Sequence, residues 1–149
     1  MHIVVLGGDG FCGWPETLHL AHLGHRVTVV DNLSRRSISE ELSAPSLTPI
    51  APIADRLKAV QDVGIGEVAF EFVDVARDVA GLARVLSTKP DAIVHFAEQR
   101  AAPYSMRSPR HKRYSIDNNV AATHNLLSVI AEECPSTHLV HLGTMGVYG

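Results

Sequence analysis

The sequence has 149 residues, of which 46% are hydrophobic and 19% charged, and its net charge is −3. This length fits one domain that buries most of its apolar surface. The mildly acidic balance gives no basis for binding nucleic acid or an anionic membrane surface. The N-terminal apolar run is too short for a signal peptide or a membrane span, so we expect a cytoplasmic protein without a membrane span.

The first recognisable pattern is a short apolar run that leads into glycines. Residues 3–6 read Ile-Val-Val-Leu, and three glycines follow with the spacing G-x-x-G-x-x-G before a helical pattern. A strand, a tight turn and a helix N-terminus in this order place backbone N–H groups and the positive end of the helix dipole around a pyrophosphate. The residues of this turn predicted to bind a dinucleotide are Gly7, Gly10, Phe11, Cys12 and Gly13.

A carboxylate follows the second predicted strand. The strand covers residues 26–30 and ends at Asp31, which lies 18 residues after Gly13. A carboxylate at this place accepts hydrogen bonds from the adenosine ribose diol and repels a 2′-phosphate, which favours NAD over NADP. Arg35 and Arg36 follow closely. Either they reach the adenosine end of the cofactor, or they belong to a solvated loop.

The remaining elements alternate between helices and strands. Pro45, Pro49 and Pro52 argue against a continuous helix before Ile53. The apolar spacing then predicts helices over residues 53–63, 79–87 and 109–133 and strands over 68–73, 92–96 and 137–142. Right-handed crossovers favour the strand order 3-2-1-4-5. We therefore predict a Rossmann-type α/β fold over residues 1–149, a doubly wound parallel sheet with helices on both faces.

Polar residues that follow the later strands are site candidates, because the ligand crevice of such a sheet lies beyond the carboxyl ends of its strands. Asp74 either accepts a hydrogen bond from the adenine amine or caps the next helix. Arg100 is the best fixed cation for an anionic substrate, and His95 is expected to be a half-buried strand residue. Thr144 would polarise a group or relay a proton near the nicotinamide. The other candidates by position are Glu98, Gln99, Tyr104 and Ser105.

Metal and disulfide chemistry are not predicted. The nine histidines are scattered, and no C-x-x-C or H-E-x-x-H pattern occurs. Of the two cysteines, Cys12 lies in the glycine turn, which does not suit one half of a disulfide. Asparagines are unusual inside a helix, so we expect those in the predicted helix over residues 109–133 to be there for hydrogen bonding or packing.

Several motifs match one family of enzymes. They are Gly7 to Gly13, Asp31-Asn32-Leu33, Asp74, His95-Phe96-Ala97, Asn119 and Thr144-x-x-Val147-Tyr148-Gly149. With these motifs the chain resembles extended short-chain dehydrogenase/reductases of the nucleotide-sugar epimerase/dehydratase type. Within the family it is similar to the UDP-sulfoquinovose synthases in residues 7–14, 46–50, 98–106 and 143–146, although Asp9 stands where the common epimerase turn has Ala or Thr.

The resemblance implies functions for further residues. The cofactor contacts that it adds are Asn32, Val75, Phe96, Ala97, Glu98 and Asn119. The substrate contacts are Gln99, Arg100, Tyr104, Thr144 and Met145. The implied reaction uses tightly held NAD to oxidise C4 of UDP-glucose. Water is then lost across C5–C6, sulfite adds at C6 and the hydride returns to C4, while Thr144 assists a Tyr of a Tyr-x-x-x-Lys pair.

The Tyr-x-x-x-Lys pair would lie beyond Gly149, and residues 145–147 read Met-Gly-Val where dehydratases and synthases of this family carry acids. We therefore expect residues 1–149 to bind NAD without turnover, as part of a longer enzyme. The resemblance also implies a homodimer through a two-helix face that includes the long helix ending near Glu133. Two alternatives stay open: a UDP-hexose 4-epimerase or dehydratase, and a non-catalytic NAD-binding module.

Overall fold

The computed structural model describes residues 1–100 and 102–143. At its centre lies a sheet of five strands: β1 (His2–Leu6), β2 (Arg26–Asp31), β3 (Val68–Phe72), β4 (Ala92–His95) and β5 (His138–His141). Every neighbouring pair is parallel, and the order is β3-β2-β1-β4-β5. The predicted parallel sheet with strand order 3-2-1-4-5 is confirmed.

In the described part of the chain, six helices connect the strands. They are α1 (Gly13–His22), α2 (Ser34–Glu41), α3 (Ile53–Val63), α4 (Val79–Leu86), α5 (Ala102–Ser105) and α6 (Pro109–Glu133). The sequence did not predict α2 or the single turn α5. Ile38 is the only buried residue of α2, so this helix lacks the periodic apolar face by which helices are predicted. Among the described residues, no helix combines the length and the apolar character needed to cross a membrane.

The central strand β1 shows how both faces of the sheet are covered. Val4 belongs to the core cluster that includes Leu126 of α6, whereas Val5 belongs to the cluster on the other face that includes Ala21 of α1. Consecutive strand residues point to opposite faces. The continuous apolar run of β1 is therefore the pattern of a strand that is buried on both sides.

The start and the middle of α6 are fixed by polar side chains. Ser108 caps the helix by accepting the N–H of His111, and Pro109 occupies the first turn, where its missing N–H has no cost. Farther along, Asn125 donates to the carbonyl of Val75 at 3.0 Å and to that of Ala76 at 3.1 Å. The expectation that mid-helix asparagines have a hydrogen-bonding reason is confirmed here, because Asn125 ties α6 to the segment after β3.

Glu41 holds the end of α2 against the start of α6. Its Oε1 lies 2.9 Å from Nε2 of His111, and the hydroxyl of Tyr104 donates to Oε2 at 3.3 Å. On its other side, Nδ1 of His111 lies 2.7 Å from Oγ of Ser108. The contact with His111, with smaller contributions from Tyr104 and Arg110, holds the pKa of Glu41 below its ordinary value.

The substitution Glu41→Gln is expected to lower stability near neutral pH but not in acid. Because the pKa of Glu41 is lower in the folded state, the charged contact stabilises the protein above about pH 4.3, the ordinary value for Glu, and is lost as the pH falls through the lowered value. The urea midpoints of the wild type and of Glu41→Gln should therefore differ near pH 7 and converge near pH 3. These two conditions lie on either side of the ordinary Glu pKa of about 4.3.

The matched control is Glu40→Gln, which removes the same charge from an exposed neighbour on α2. Its midpoint should follow the wild type throughout. If Glu41→Gln lowered the urea midpoint equally at both pH values, the electrostatic origin of the contact would be contradicted.

Candidate functional site

The turn between β1 and α1 brings the backbone into contact with itself. Gly7 has a φ of +78°, and a Cβ there would lie 2.7 Å from the carbonyl carbon of Phe96. A Cβ at Gly13 would overlap the carbonyl oxygen of Gly7. Only glycine permits this approach. The turn, the start of α1 and the end of β4 therefore pack together as a dinucleotide-binding turn requires.

The N-terminus of α1 faces this turn. The N–H of Trp14 donates to the carbonyl of Gly10 at 3.1 Å, and among the described residues no side chain caps the helix. Uncapped N–H groups and the helix dipole make such an end a site for anions. Phe11 and Cys12 are both exposed on the turn, so a ligand at the helix end would lie against them.

A cleft of about 420 Å³ opens beyond the carboxyl ends of the strands. Most of the predicted site residues line it: Gly7, Gly10, Phe11, Cys12, Gly13, Asp31, Asn32, Arg35, Asp74, Val75, Phe96, Ala97, Glu98, Gln99 and Arg100. The lining residues that the sequence did not predict include Ser34, Val73, His95, Tyr114, Asn118 and Leu142. Tyr114 and Asn118 are one helical turn apart on α6, and no sequence pattern shows which face of that helix crosses the cleft.

Asp31 lies at the end of β2 with both carboxylate oxygens directed to backbone donors. Oδ1 accepts the N–H of Leu33 at 2.7 Å, and Oδ2 accepts the N–H of Asp9 at 3.0 Å. Burial raises the pKa of Asp31, against the opposing effect of these two hydrogen bonds. A carboxylate has about four acceptor positions. Asp31 can therefore accept hydroxyl groups from a ligand in addition to the two N–H groups that orient it.

Asp74 joins the ends of β2 and β3 at the same edge of the cleft. Its Oδ1 accepts the N–H of Ala76 at 3.0 Å, and its Oδ2 accepts the side-chain amide of Asn32 at 3.0 Å. The helix α4 is capped by Asp78, whose Oδ1 accepts the N–H of Gly81 at 2.8 Å. The alternative that Asp74 caps this helix is wrong, and its contact with adenine stays a prediction.

The two adjacent arginines of α2 have different positions. Arg35 lines the cleft, and its Nη1 donates to Oγ of Ser39 at 2.6 Å. Arg36 instead binds the carboxylate of Asp9, with Nε–Oδ2 and Nη2–Oδ1 distances of 2.7 and 2.8 Å. The solvated loop that was one alternative for these residues is a helix. A contact between Arg36 and a cofactor would require the guanidinium to leave Asp9.

Asp9 also binds a second arginine. Nη1 of Arg56 lies 2.8 Å from Oδ1 of Asp9, and its guanidinium lies 4.6 Å from the centroid of the Trp14 ring. The Asp9 side chain is only 4% exposed, and a buried carboxylate is costly unless its charge is compensated. The bidentate contact of Arg36 and the contact of Arg56, which stacks on Trp14, provide that compensation. Sequence reasoning missed Arg56, because it lies 47 residues from Asp9 and only the packing of α3 brings it to the turn.

The side chain of Asn119 binds the backbone of the loop after β4. Its Oδ1 accepts the N–H of Gln99 at 2.7 Å, and its Nδ2 donates to the carbonyl of Gln99 at 3.0 Å. Asn119 therefore fixes the backbone that carries Gln99 and Arg100 into the cleft. Tyr104 is buried against Glu41 beside the cleft. Thr144 and Met145 lie outside the residues that the structure describes.

Two histidines and Glu98 meet beyond β4 and β5, which the scattered histidines of the sequence did not indicate. Oε1 of Glu98 lies 4.0 Å from Nε2 of His95 and 3.7 Å from Nε2 of His141. His95 was expected to be half-buried, but it is 1% exposed. It ends a strand that is buried on both faces, since Ile93 and Val94 belong to the two opposite core clusters. Burial, followed by the charge of His141, lowers the pKa of His95 to about 4.

The tautomer of His95 decides what this cluster can bind. The N–H of Ala97 donates to Nδ1 of His95 at 3.3 Å, so the proton of the neutral ring lies on Nε2. That Nε2 is buried and has no hydrogen-bond partner among the described residues. A metal-bound imidazole instead donates its second N–H and leaves the ligating nitrogen unprotonated. The arrangement in the structure is thus that of a hydrogen-bond donor.

Comparisons with known proteins agree with this fold. Residues 3–149 match the profile described as the NAD dependent epimerase/dehydratase family. The chain is 44% identical over 99% of its length to the chloroplastic UDP-sulfoquinovose synthase of Spinacia oleracea, and 42% identical over its whole length to the UDP-sulfoquinovose synthase of Sulfolobus acidocaldarius. The crystal structure of the UDP-glucose 4-epimerase of Bifidobacterium longum with NAD+ and UDP covers the whole chain with a TM-score of 0.75 and 25% identity.

The matched segment is a part of each of these proteins. The chain spans 30% of the Spinacia enzyme and 38% of the Sulfolobus enzyme, and it likewise covers 38% of the Bifidobacterium chain. The match to the family profile nevertheless extends over nearly all of the sequence, and the glycine turn, the acid after β2 and the strand order lie where a dinucleotide fold places them. The chain belongs to the NAD dependent epimerase/dehydratase family.

Proposed function

We propose that residues 1–149 bind NAD in the cleft and form the cofactor-binding part of a longer sugar-nucleotide enzyme. The observation that carries this proposal is the uncapped start of α1 behind a turn that leaves no room for a side chain at Gly7 and Gly13, with Asp31 at the neighbouring strand end. The pyrophosphate lies against the N–H groups of the turn, and the adenosine ribose diol donates to Asp31. The related epimerase that was crystallised with NAD+ and UDP supports this assignment.

The substitution Asp31→Asn is expected to weaken NAD binding by about tenfold or more, the loss of a hydrogen bond to a charged group. Asp31 accepts the backbone N–H groups of Leu33 and Asp9. The NH₂ group of an asparagine would face one of these N–H donors and could not accept it. Isothermal titration calorimetry with NAD measures the change.

The control is Asp91→Asn, at the opposite end of the sheet. Asp91 also accepts a backbone N–H, that of His2 at 2.6 Å, but it does not line the cleft. Its substitution should leave the affinity for NAD unchanged. If Asp31→Asn bound NAD as tightly as the wild type, the ribose contact would be refuted.

For the whole protein, we propose a reaction on UDP-glucose with sulfite, as the two related UDP-sulfoquinovose synthases support. Bound NAD supplies the acceptor for the hydride that leaves C4 of the hexose. Arg100 lines the cleft after β4 and is a planar cation that suits the diphosphate of the substrate. Asn119 positions the backbone of Gln99 for the same ligand. Thr144 and Met145 are proposed to contact the sugar, with Thr144 assisting a downstream Tyr.

Product analysis of the full-length protein separates the candidate activities. With UDP-glucose and sulfite we expect a sulfonated sugar nucleotide by mass spectrometry, and no such product without sulfite. Thr144→Ala should lower its rate of formation by about a hundredfold, in the range of a lost acid–base contribution, whereas Thr144→Ser should retain most of it. Formation of UDP-galactose that ignores sulfite would instead identify an epimerase. NAD binding without turnover would identify a non-catalytic module.

We also propose that the protein is a homodimer through α6. Ile116, Val120 and Leu127 are spaced by four and seven residues and are 61%, 66% and 52% exposed. This spacing places them along one face of the helix. An exposed apolar stripe of this kind supports an interface with a protein surface, and the resemblance to dimeric family members supports a second copy of the chain as the partner.

Val120→Glu is expected to convert the full-length protein to a monomer, because it places a charge at the centre of the stripe where burial is costly. Light scattering coupled to size-exclusion chromatography should show half the wild-type mass. Val63→Glu is the matched control, since Val63 is 74% exposed at the end of α3, away from α6, and should leave the mass unchanged. A monomeric wild type would refute the proposed dimer.

The compartment that we propose is the cytoplasm. Cys12 and Cys134 are both free thiols, and Cys12 is exposed in the glycine turn. An exposed free thiol suits a reducing compartment.

A further inference from the structure

Arg36 is a cation that a carboxylate keeps away from the cleft. Its Nε and Nη2 bind the two oxygens of Asp9 at 2.7 and 2.8 Å, whereas the neighbouring Arg35 lines the cleft. The pairing with Asp9 is bidentate and nearly buried on the aspartate side, with 4% of the Asp9 side chain exposed. Such a geometry strongly favours the paired state over a free guanidinium.

Asp9 connects this cation to the acid at the ribose end of the cleft. Its backbone N–H donates to Oδ2 of Asp31 at 3.0 Å while its side chain binds Arg36. A single residue therefore separates the Arg36 guanidinium from the Asp31 carboxylate. The long and flexible side chain of an arginine can cross this separation, so Arg36 could reach a group bound beside Asp31 if Asp9 did not hold it.

We propose that Asp9 is a specificity-determining residue for the dinucleotide, because it withholds Arg36 from the place where the 2′-phosphate of NADP would lie. The inference rests on the proposed function, since it requires a dinucleotide in the cleft. Arginine is the side chain that accommodates a 2′-phosphate in such folds, and it does so by bidentate hydrogen bonds. A guanidinium whose Nε and Nη2 are bound to Asp9 cannot offer that pair of donors to a phosphate. Asp9 thus reinforces the preference for a free 2′-hydroxyl that Asp31 sets.

The geometry assigns this effect to Arg36 rather than Arg56. Arg56 has two contacts that do not depend on the Asp9 carboxylate: its Nη1 donates to the Asp9 carbonyl at 3.2 Å, and its guanidinium stacks on Trp14. Arg36 has a further contact to the carbonyl of Ala51 at 2.9 Å, through the same Nη2 that binds Asp9. Loss of the carboxylate charge therefore leaves Arg56 with both of these contacts and Arg36 with the single contact to Ala51, so Arg36 is the guanidinium that is freed to move.

The test compares affinities for NAD and NADP. In Asp9→Asn, which keeps the size of the side chain and removes its charge, and in Asp9→Ala, which removes the acceptor, the ratio of the NADP to the NAD dissociation constant should fall by about tenfold, the value of one charge-assisted contact. Calorimetry on the full-length protein, freed of bound nucleotide, measures both constants. Combining either change with Arg36→Gln should restore the wild-type ratio, whereas Arg56→Gln should leave it lowered.

Two controls separate this effect from instability and from general changes of charge. Asp62→Asn makes the same chemical change on α3, where Asp62 pairs with Lys58 on the surface, and should not alter the ratio. Arg36→Gln alone, which leaves Asp9 in place, should not weaken NADP binding; a loss of NADP affinity there would overturn the inference even if the Asp9 variants did not fold. Folded Asp9 variants with an unchanged ratio would overturn it as well. If the wild type binds no dinucleotide, the proposed function itself fails.

Discussion

The contact between Gly13 and the carbonyl of Gly7 is the constraint on which the site depends. It leaves no room for a side chain, so the start of α1 lies directly against the end of β1. The backbone of Phe96, at the end of β4, closes on Gly7 from the other side. Because β1 lies between β2 and β4 in the sheet, this single turn fixes the floor of a cleft whose walls are the segments that follow those two strands.

A second constraint is electrostatic and joins distant parts of the chain. Asp9 binds Arg36 and Arg56, which lie 27 and 47 residues away, and so fastens α2 and α3 to the glycine turn. A buried carboxylate is costly unless its partners are well placed. Here two guanidinium groups and a stacked tryptophan meet that requirement. The proline-containing connection after α2 is therefore anchored at both ends, next to the end of the cleft that holds Asp31.

The sequence predicted those features of the structure that leave a local pattern, and it missed those that depend on tertiary packing. The strand order followed from apolar runs and crossover handedness, and Asp31 and Asp74 were found because the ends of parallel strands meet at one edge. The helix α2 was not predicted, since only Ile38 is buried on it. Arg56 and Tyr114 reach the turn and the cleft by tertiary packing, which leaves no local pattern. The cluster of His95, Glu98 and His141 depends on the register of β4 with β5, which pairs His95 with His141.

The polar groups of the cleft differ between its two ends, and under the proposed function this difference would orient a dinucleotide. At the β2–β3 side, Asp31 and Asp74 are held as acceptors by backbone N–H groups and by Asn32, which suits the hydroxyl and amine donors of adenosine. In the middle, the helix end offers donors to phosphates. At the β4–β5 side, Arg100 and the Nε2–H of neutral His95 are donors, and the carboxylate of Glu98 lies 4.0 and 3.7 Å from the two histidines, beyond hydrogen-bond distance. Because the pyrophosphate lies at the centre of a dinucleotide, a reversed ligand would keep its phosphates at α1 and would exchange only its two ends. The orientation that the proposed function requires, with the reacting end beyond β4 and β5, therefore depends on the polar groups at the two ends of the cleft and not on the glycine turn.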